Sequence, residues 1–168
     1  MTVNVALVSV DEKHKQVLAN LVQFYRYDFS AIRDLELSPH GTYPYRYLDH
    51  YFVEAAREAL FILADGRLAG FALMRRLPQG VNQVAEFFVL RARRRHGVGR
   101  AAARALFQRF PGRWQLEFDN ANSAAASFWP AVVGDVARGE IVTRELSPPD
   151  VDHPCMQLQF VVADPELR

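Results

Sequence analysis

"VAEFFVLRARRRHGVGRAAARAL", residues 84–106, is the stretch on which the fold turns. Its first seven residues are apolar except for Glu86 and rich in β-forming side chains, so they read as a strand. From residue 98 the spacing becomes helical, with Val98, Ala102 and Leu106 on one face and Arg100, Arg104 and Gln108 on another. Between strand and helix lies an arm carrying Arg91, Arg93, Arg94, Arg95 and His96, closed by Gly97 and Gly99. The chain as a whole has 20 basic and 19 acidic side chains, a net charge of +1, so this positive charge is a local feature. Glycine lets a backbone approach a ligand closely. A helix start offers unpaired N–H groups and the positive end of the dipole. Arginines add bidentate bonds suited to phosphate. A pyrophosphate satisfies all three features, and so does a solvated strand-to-helix turn.

Upstream, residues 2–9 alternate like a strand, and Asp11 is placed to cap a helix over 12–27 carrying Leu18, Leu21, Val22 and Tyr25 on one side. Residues 28–44 are irregular, and a short helix is predicted over 45–56. "EALFILADGRLAGFALMRRL" reads as a hairpin turning at Asp65–Gly66, followed by a second turn at 78–80. Downstream, Pro111–Gly112 stops the helix and "RWQLEF" reads as a strand. "NSAAASFWPAV" reads as a helix capped near Asn122, and runs over 136–146 and 155–163 read as a closing antiparallel pair. The order β-α-α-β-β-β-α-β-α-β-β predicts a single α/β domain over residues 1–168, built on a mixed sheet.

Composition narrows the function classes. Half of the chain is apolar, enough for a full core. The single cysteine, Cys155, excludes an internal disulfide and points to a reducing compartment. The N-terminal residues lack the basic region of a signal peptide, and no run approaches the ~18 apolar residues of a membrane span. A cytoplasmic protein without a membrane partner is the expectation. Balanced charge argues against a nucleic-acid partner, which calls for a broad basic face. The five histidines show no zinc-like spacing, so no metal is expected. Cys155 opens an apolar run with no evident base beside it, and reads as a buried structural thiol.

"GVGRAA" also matches the dinucleotide-binding pattern G-x-G-x-x-A, with Glu117 placed 18 residues past Gly99 as a ribose-binding acid. Against this, "RARRRH" separates the strand from the first glycine. That fold also needs more βαβ units than the 51 residues after Glu117 can hold.

"RRHGVG", Arg94 to Gly99, matches the Arg/Gln-x-x-Gly-x-Gly/Ala signature of the GNAT superfamily of N-acetyltransferases, and "VAEFFVL" precedes it at that family's usual distance. "NSAAASFW" fits the family's Asn-x-x-Ala-x-x-Phe-Tyr pattern at Asn122, Ala125 and Phe128. The chain therefore resembles this superfamily, most specifically over residues 84–134. The resemblance implies a mostly antiparallel mixed sheet flanked by helices, with acetyl-coenzyme A as cosubstrate and an amine as acceptor. It implies that backbone N–H groups of Arg94, Arg95, His96, Gly97, Val98, Gly99 and Arg100 hold the pyrophosphate. Backbone at Phe88, Val89 and Leu90 would pair with the pantetheine arm and the acetyl carbonyl, and Asn122 and Phe128 would line the other side of that channel. Arg91 and Arg93 would reach the 3′-phosphate or face water. Dimers are common in the superfamily, so a homodimer is compatible with the resemblance.

The chain departs from the pattern at Trp129, where the family often has a tyrosine that protonates the leaving thiolate. All six tyrosines lie between Tyr25 and Tyr51. The proton then comes from the amine, from water, or from a tyrosine reaching in from the N-terminal half, while Trp129 packs against the cofactor. Glu86, on an apolar strand face, reads as a general base if burial raises its pKa, or as one half of a salt bridge. Tyr25, Tyr27, Phe29, Tyr43, Tyr45, Tyr47, Tyr51 and Phe52, interleaved with Asp28, Asp34, Glu36 and Asp49, would wall an acceptor pocket in the resembling family. An N-acetyltransferase acting by direct attack is the leading reading, and a non-catalytic acyl-coenzyme A-binding domain of the same fold is its alternative.

Overall fold

The structure, a computed structural model, describes residues 2–164. Two left-handed residues, Asp65 (φ 49°) and Gly66 (φ 75°), reverse the chain between β2 (Arg57–Ala64) and β3 (Arg67–Leu77), as the Asp-Gly pair predicts. A short 3-10 turn at 78–80 leads into β4 (Val81–Val89). The remaining strands are β1 (Val5–Ser9), β5 (Gly112–Asp119), β6 (Val142–Leu146) and β7 (Cys155–Val162). The helices are α1 (Lys15–Phe29), α2 (His50–Val53), α3 (Val98–Arg109) and α4 (Ser123–Val136). The strands form one seven-stranded sheet in the order β1-β2-β3-β4-β5-β7-β6.

Contacts divide the chain into two units. One runs to Leu73 and takes in Glu86–Val98; the other is Met74–Ala85 together with the chain from Gly99 onward. In the first unit, β1 lies antiparallel to β2 from Val5↔Ala64 to Ser9↔Leu60. Asp11 caps a 3-10 turn over Glu12–His14 by accepting from the His14 N–H at 3.2 Å, and α1 follows with Leu18, Leu21 and Val22 buried. In the same unit β3 and β4 come unusually close at Gly70. A Cβ added there would lie 2.0 Å from the Phe88 carbonyl oxygen and 3.0 Å from the Val89 Cα, so only glycine fits.

In the second unit, Asn82–Val84 of β4 pair in parallel with Trp114–Leu116 of β5. Parallel neighbours need a crossover, which α3 supplies. β5 pairs antiparallel with β7 along its whole length, and β7 with β6. The centre of this unit is aromatic: the Phe107 ring lies 4.9 Å from Trp114, 5.2 Å from Phe160 and 6.4 Å from Trp129. Asn122 caps α4, its Oδ1 accepting from the Ala125 N–H at 3.0 Å. Removing that cap with Asn122→Ala is expected to destabilise the protein by about 1 kcal/mol, read as a shift in the denaturant midpoint.

The mostly antiparallel pairing agrees with the GNAT-like fold and excludes the dinucleotide-binding one, which needs a parallel, doubly wound sheet. Glu117, its supposed ribose ligand, instead accepts a hydrogen bond from Gln157 on β7 at 2.8 Å. Three boundaries differ from expectation. The short helix predicted over 45–56 is only His50–Val53, and the first strand begins at Val5. The strand predicted from 136 begins at Val142, because α4 passes through Pro130 and continues to Val136, burying Trp129, Val132 and Val133 on one face. Burial of that face outweighs the one helical bond Pro130 cannot make. No described helix is long and apolar enough to cross a membrane.

Candidate functional site

The apolar stripe of α1 continues past Leu18, Leu21 and Val22 to Tyr25, one turn on. The Tyr25 ring meets Phe71 edge-on at 5.8 Å and Phe88 at 5.9 Å, which leaves its hydroxyl facing β4. There the phenol donates a hydrogen bond to Oε2 of Glu86. Tyr45, from the irregular segment before α2, lies near the same carboxyl and helps to hold its pKa down. Burial pushes the Glu86 carboxyl up from 4.5 to about 7, against the opposing pull of Tyr25, the Arg26 charge and Tyr45. Burial, and then the Glu86 charge, push the Tyr25 phenol well above its ordinary 10; the same two causes raise Tyr45. Both phenols therefore stay protonated, and the carboxyl exchanges its proton near neutrality. A carboxyl of that kind within an aromatic wall can serve as a general base.

Beyond β4 the chain makes a 3-10 turn, with Arg93 N–H donating to the Leu90 carbonyl at 2.8 Å and Arg94 N–H to that of Arg91 at 3.1 Å. Arg95 (φ 62°) and Gly97 (φ 79°) then take left-handed conformations on either side of His96, and α3 begins at Val98. Arg95, His96 and Gly97 lie at the surface, and the space where a Cβ of Gly97 would point is open. The first turn of the twelve-residue helix that follows carries N–H groups without intrahelical partners.

The side chains of the basic arm are less free than their number suggests. Arg91 and Arg94 both pair with Asp28. Arg100 makes two bonds of 2.7 Å to Asp135. Three of the arginines around this turn are thus already paired with carboxylates.

Other expected residues are placed as follows. Phe88 and Val89 are buried and Leu90 is half-buried, its N–H donated to the Ala69 carbonyl at 2.8 Å. In the second unit Asn122 serves as the α4 cap, and the Phe128 ring lies 4.9 Å from Trp129. Trp129 is buried beside Phe107 as part of that unit's core. Of the tyrosine-rich segment, Tyr25 and Tyr45 converge on Glu86, whereas Tyr27 is 65% exposed and Asp49 pairs with Lys15 at 2.8 Å. Cys155 is buried, as expected, but a base does lie beside it: His153 Nδ1 is 3.6 Å from its Sγ and 3.4 Å from an Asp119 oxygen. Among the described residues no group of three or more His, Cys, Asp or Glu side chains could hold a metal ion. Sequence reasoning missed Tyr25 as the partner of Glu86; the only signal was the density of tyrosines alongside a lone strand carboxylate.

Several solved structures share this fold. An acetyltransferase from Thermus thermophilus superposes with a TM-score of 0.68 at 16% identity, covering 96% of this chain and 98% of that one. The ribosomal-protein-S18-alanine N-acetyltransferase from Escherichia coli gives 0.60 at 13% identity, covering 95% of each chain. The aminoglycoside acetyltransferase AAC(6')-Ib, solved with coenzyme A and kanamycin, gives 0.69 at 12% identity, covering 94% of this chain and 95% of that one. At such identities the likeness is one of fold. No curated protein sequence matches the chain. The profile of the Acetyltransferase (GNAT) family, however, matches residues 20–134. That span holds the Tyr25–Glu86 pair, the glycine turn and the capped start of α4, and by it the chain belongs to the GNAT family of acetyltransferases.

Proposed function

We propose that the protein binds acetyl-coenzyme A and transfers its acetyl group to a primary amine by direct attack. The observation that carries this reading is the half-buried Glu86 carboxyl, which accepts from the Tyr25 phenol beside Tyr45 and which burial pushes up to about 7. At neutral pH it takes a proton from the acceptor ammonium. The freed amine attacks the thioester carbonyl, a C–N bond forms, the C–S bond breaks, and coenzyme A leaves as the thiolate. Tyr25 and Tyr45 hold their protons more tightly than a thiol, whose ordinary pKa is about 8.5. We therefore assign them to orienting Glu86, and assign the leaving group's proton to the one released by the amine or to water.

The residues present suit the cosubstrate. The open left-handed turn from Arg94 to Gly97 and the first turn of α3 offer backbone N–H groups to a pyrophosphate. Phe88 and Val89 end the strand leading into that turn and Leu90 follows them, where a pantetheine arm would run. The Leu90 N–H is committed to Ala69, so it is not the backbone donor for the developing oxyanion. The relatives named above, one acting on a ribosomal-protein alanine and one solved with an aminoglycoside, support an amine as the acceptor class.

Calorimetric titration of acetyl-coenzyme A tests the reading. The wild type is expected to bind, and Gly99→Trp, which fills the first turn of α3 with an indole, to bind at least roughly ten-fold more weakly. Release of free thiol on adding amines then separates an enzyme from a binding domain. No binding by the folded wild type overturns the proposal; binding without turnover on any amine overturns its catalytic part.

A further inference from the structure

Asp28 has no role in the chemistry described above, yet it is the carboxylate on which two arginines of the basic arm converge. It sits at the C-terminal end of α1 with its side chain 23% exposed. Arg91 reaches one of its oxygens through Nε at 2.8 Å and a terminal nitrogen at 2.7 Å, and Arg94 reaches the other. Burial alone would raise the Asp28 pKa, but the bonds from Arg94 and Arg91 hold it below the ordinary carboxylate value. Arg94 then turns its Nε the other way and donates to the Val89 carbonyl at 2.8 Å, with its guanidinium 5.5 Å from the Phe88 ring. The peptide between Val89 and Leu90 is thereby fixed at both ends: its carbonyl accepts from Arg94, and its N–H donates to Ala69.

This arrangement inverts the obvious reading of an arginine-rich arm. Arg94, the first residue of the glycine motif, does not aim its side chain at a ligand. It ties the end of β4 to α1 immediately before the turn whose backbone would meet the cosubstrate. A flexible arm would need to be ordered on binding, whereas a clamped one presents its N–H groups in place.

We propose that Asp28 is a positioning residue for the cosubstrate: through Arg94 and Arg91 it holds the end of β4 and the glycine turn in the geometry that binds acetyl-coenzyme A. The proposal rests on the function proposed above and goes beyond it, because it assigns the binding strength partly to a carboxylate that repels the ligand's charge. That repulsion gives the test a sign. If Arg94 bound phosphate directly, releasing it from Asp28 would tighten binding, since a competitor and a negative charge would both be gone. If the clamp positions the turn, Asp28→Asn weakens binding instead.

Titration of acetyl-coenzyme A into wild type and Asp28→Asn, with thermal melts of both, decides it. The expected result is a Kd raised on the order of ten-fold, with partial recovery in Asp28→Glu. In steady state the KM for acetyl-coenzyme A should rise well beyond any change in the KM for the amine. Arg94→Lys supplies a second variant. It keeps the charge opposite Asp28 but cannot also reach the Val89 carbonyl, and it should weaken binding similarly. Glu12→Gln, which loses an exposed ion pair to Lys15 in the same unit, controls for loss of a salt bridge as such. Unchanged or tighter binding in both Asp28→Asn and Arg94→Lys overturns the inference while leaving the proposed function standing. A wild type that fails to bind at all overturns the proposed function instead.

Discussion

Glu86→Gln is expected to lower kcat/KM for amine acetylation by about a hundred-fold or more, with the affinity for acetyl-coenzyme A little changed. Glutamine keeps the shape of the side chain and can accept from Tyr25, but cannot take a proton. The pH dependence carries the sharper signature. Burial raises the carboxyl to about 7, and only the ionised form is a base, so wild-type activity should climb with pH and level off above about 7. The acceptor's own ionisation appears in both proteins, and the difference between the two profiles isolates Glu86. If the variant keeps the wild-type profile and rate, Glu86 is not the base.

The same shift has a consequence for stability. The folded pKa of about 7 lies above the ordinary value of 4.5, so the fold favours the protonated carboxyl. Its contribution is complete below about 4.5 and is lost as pH rises through about 7. Melting temperatures of the wild type should therefore fall between pH 5 and 8 relative to those of Glu86→Gln, because the variant has no carboxylate to desolvate. A site that gives up stability at working pH to keep an ionisable group half-buried is the pattern expected where a group has a chemical task.

Gly70→Ala should be among the most damaging single-methyl changes in the protein. The added Cβ would lie 2.0 Å from the Phe88 carbonyl oxygen, and the obstacle is backbone on both strands, which cannot rotate away as a side chain can. Relief requires β3 and β4 to separate at Phe88, where the Tyr25 and Phe71 rings also pack. A loss of about 3 kcal/mol is expected, read from chemical denaturation. In whatever fraction stays folded, acetyl-coenzyme A should bind more weakly, because Phe88 and Val89 are the strand positions assigned to the pantetheine arm. Wild-type stability in Gly70→Ala would show that the two strands have room to part and that Gly70 does not constrain the end of β4.

The local grammar of the chain was readable without coordinates. Asp65–Gly66 marked the hairpin, Asn122 the start of α4, and the change from strand to helical spacing between Val89 and Val98 the central crossover, because each depends on dihedral preferences and periodicities within a few residues. What stayed hidden depends on residues far apart in the chain. Asp28 lies 63 and 66 positions from its two arginine partners, and Tyr25 lies 61 from Glu86. Nothing in the spacing says which carboxylate will neutralise which guanidinium. Counting arginines therefore overstated the charge available to an anion: Arg91, Arg94 and Arg100 are committed to Asp28 and Asp135. The extension of α4 from Val132 to Val136 was hidden for a related reason, since where this helix ends depends on the packing of Trp129, Val132 and Val133.

By itself, then, the sequence determined the order of elements, the glycine turn at the head of α3 and the family to which the chain belongs, all of which rest on short-range backbone preferences and contiguous motifs. Only the tertiary structure decided that Glu86 titrates near neutrality between two phenols and that Asp28 holds Arg94 on the Val89 carbonyl. Burial and pairing are properties of neighbours in space, and folding, rather than sequence proximity, chooses those neighbours.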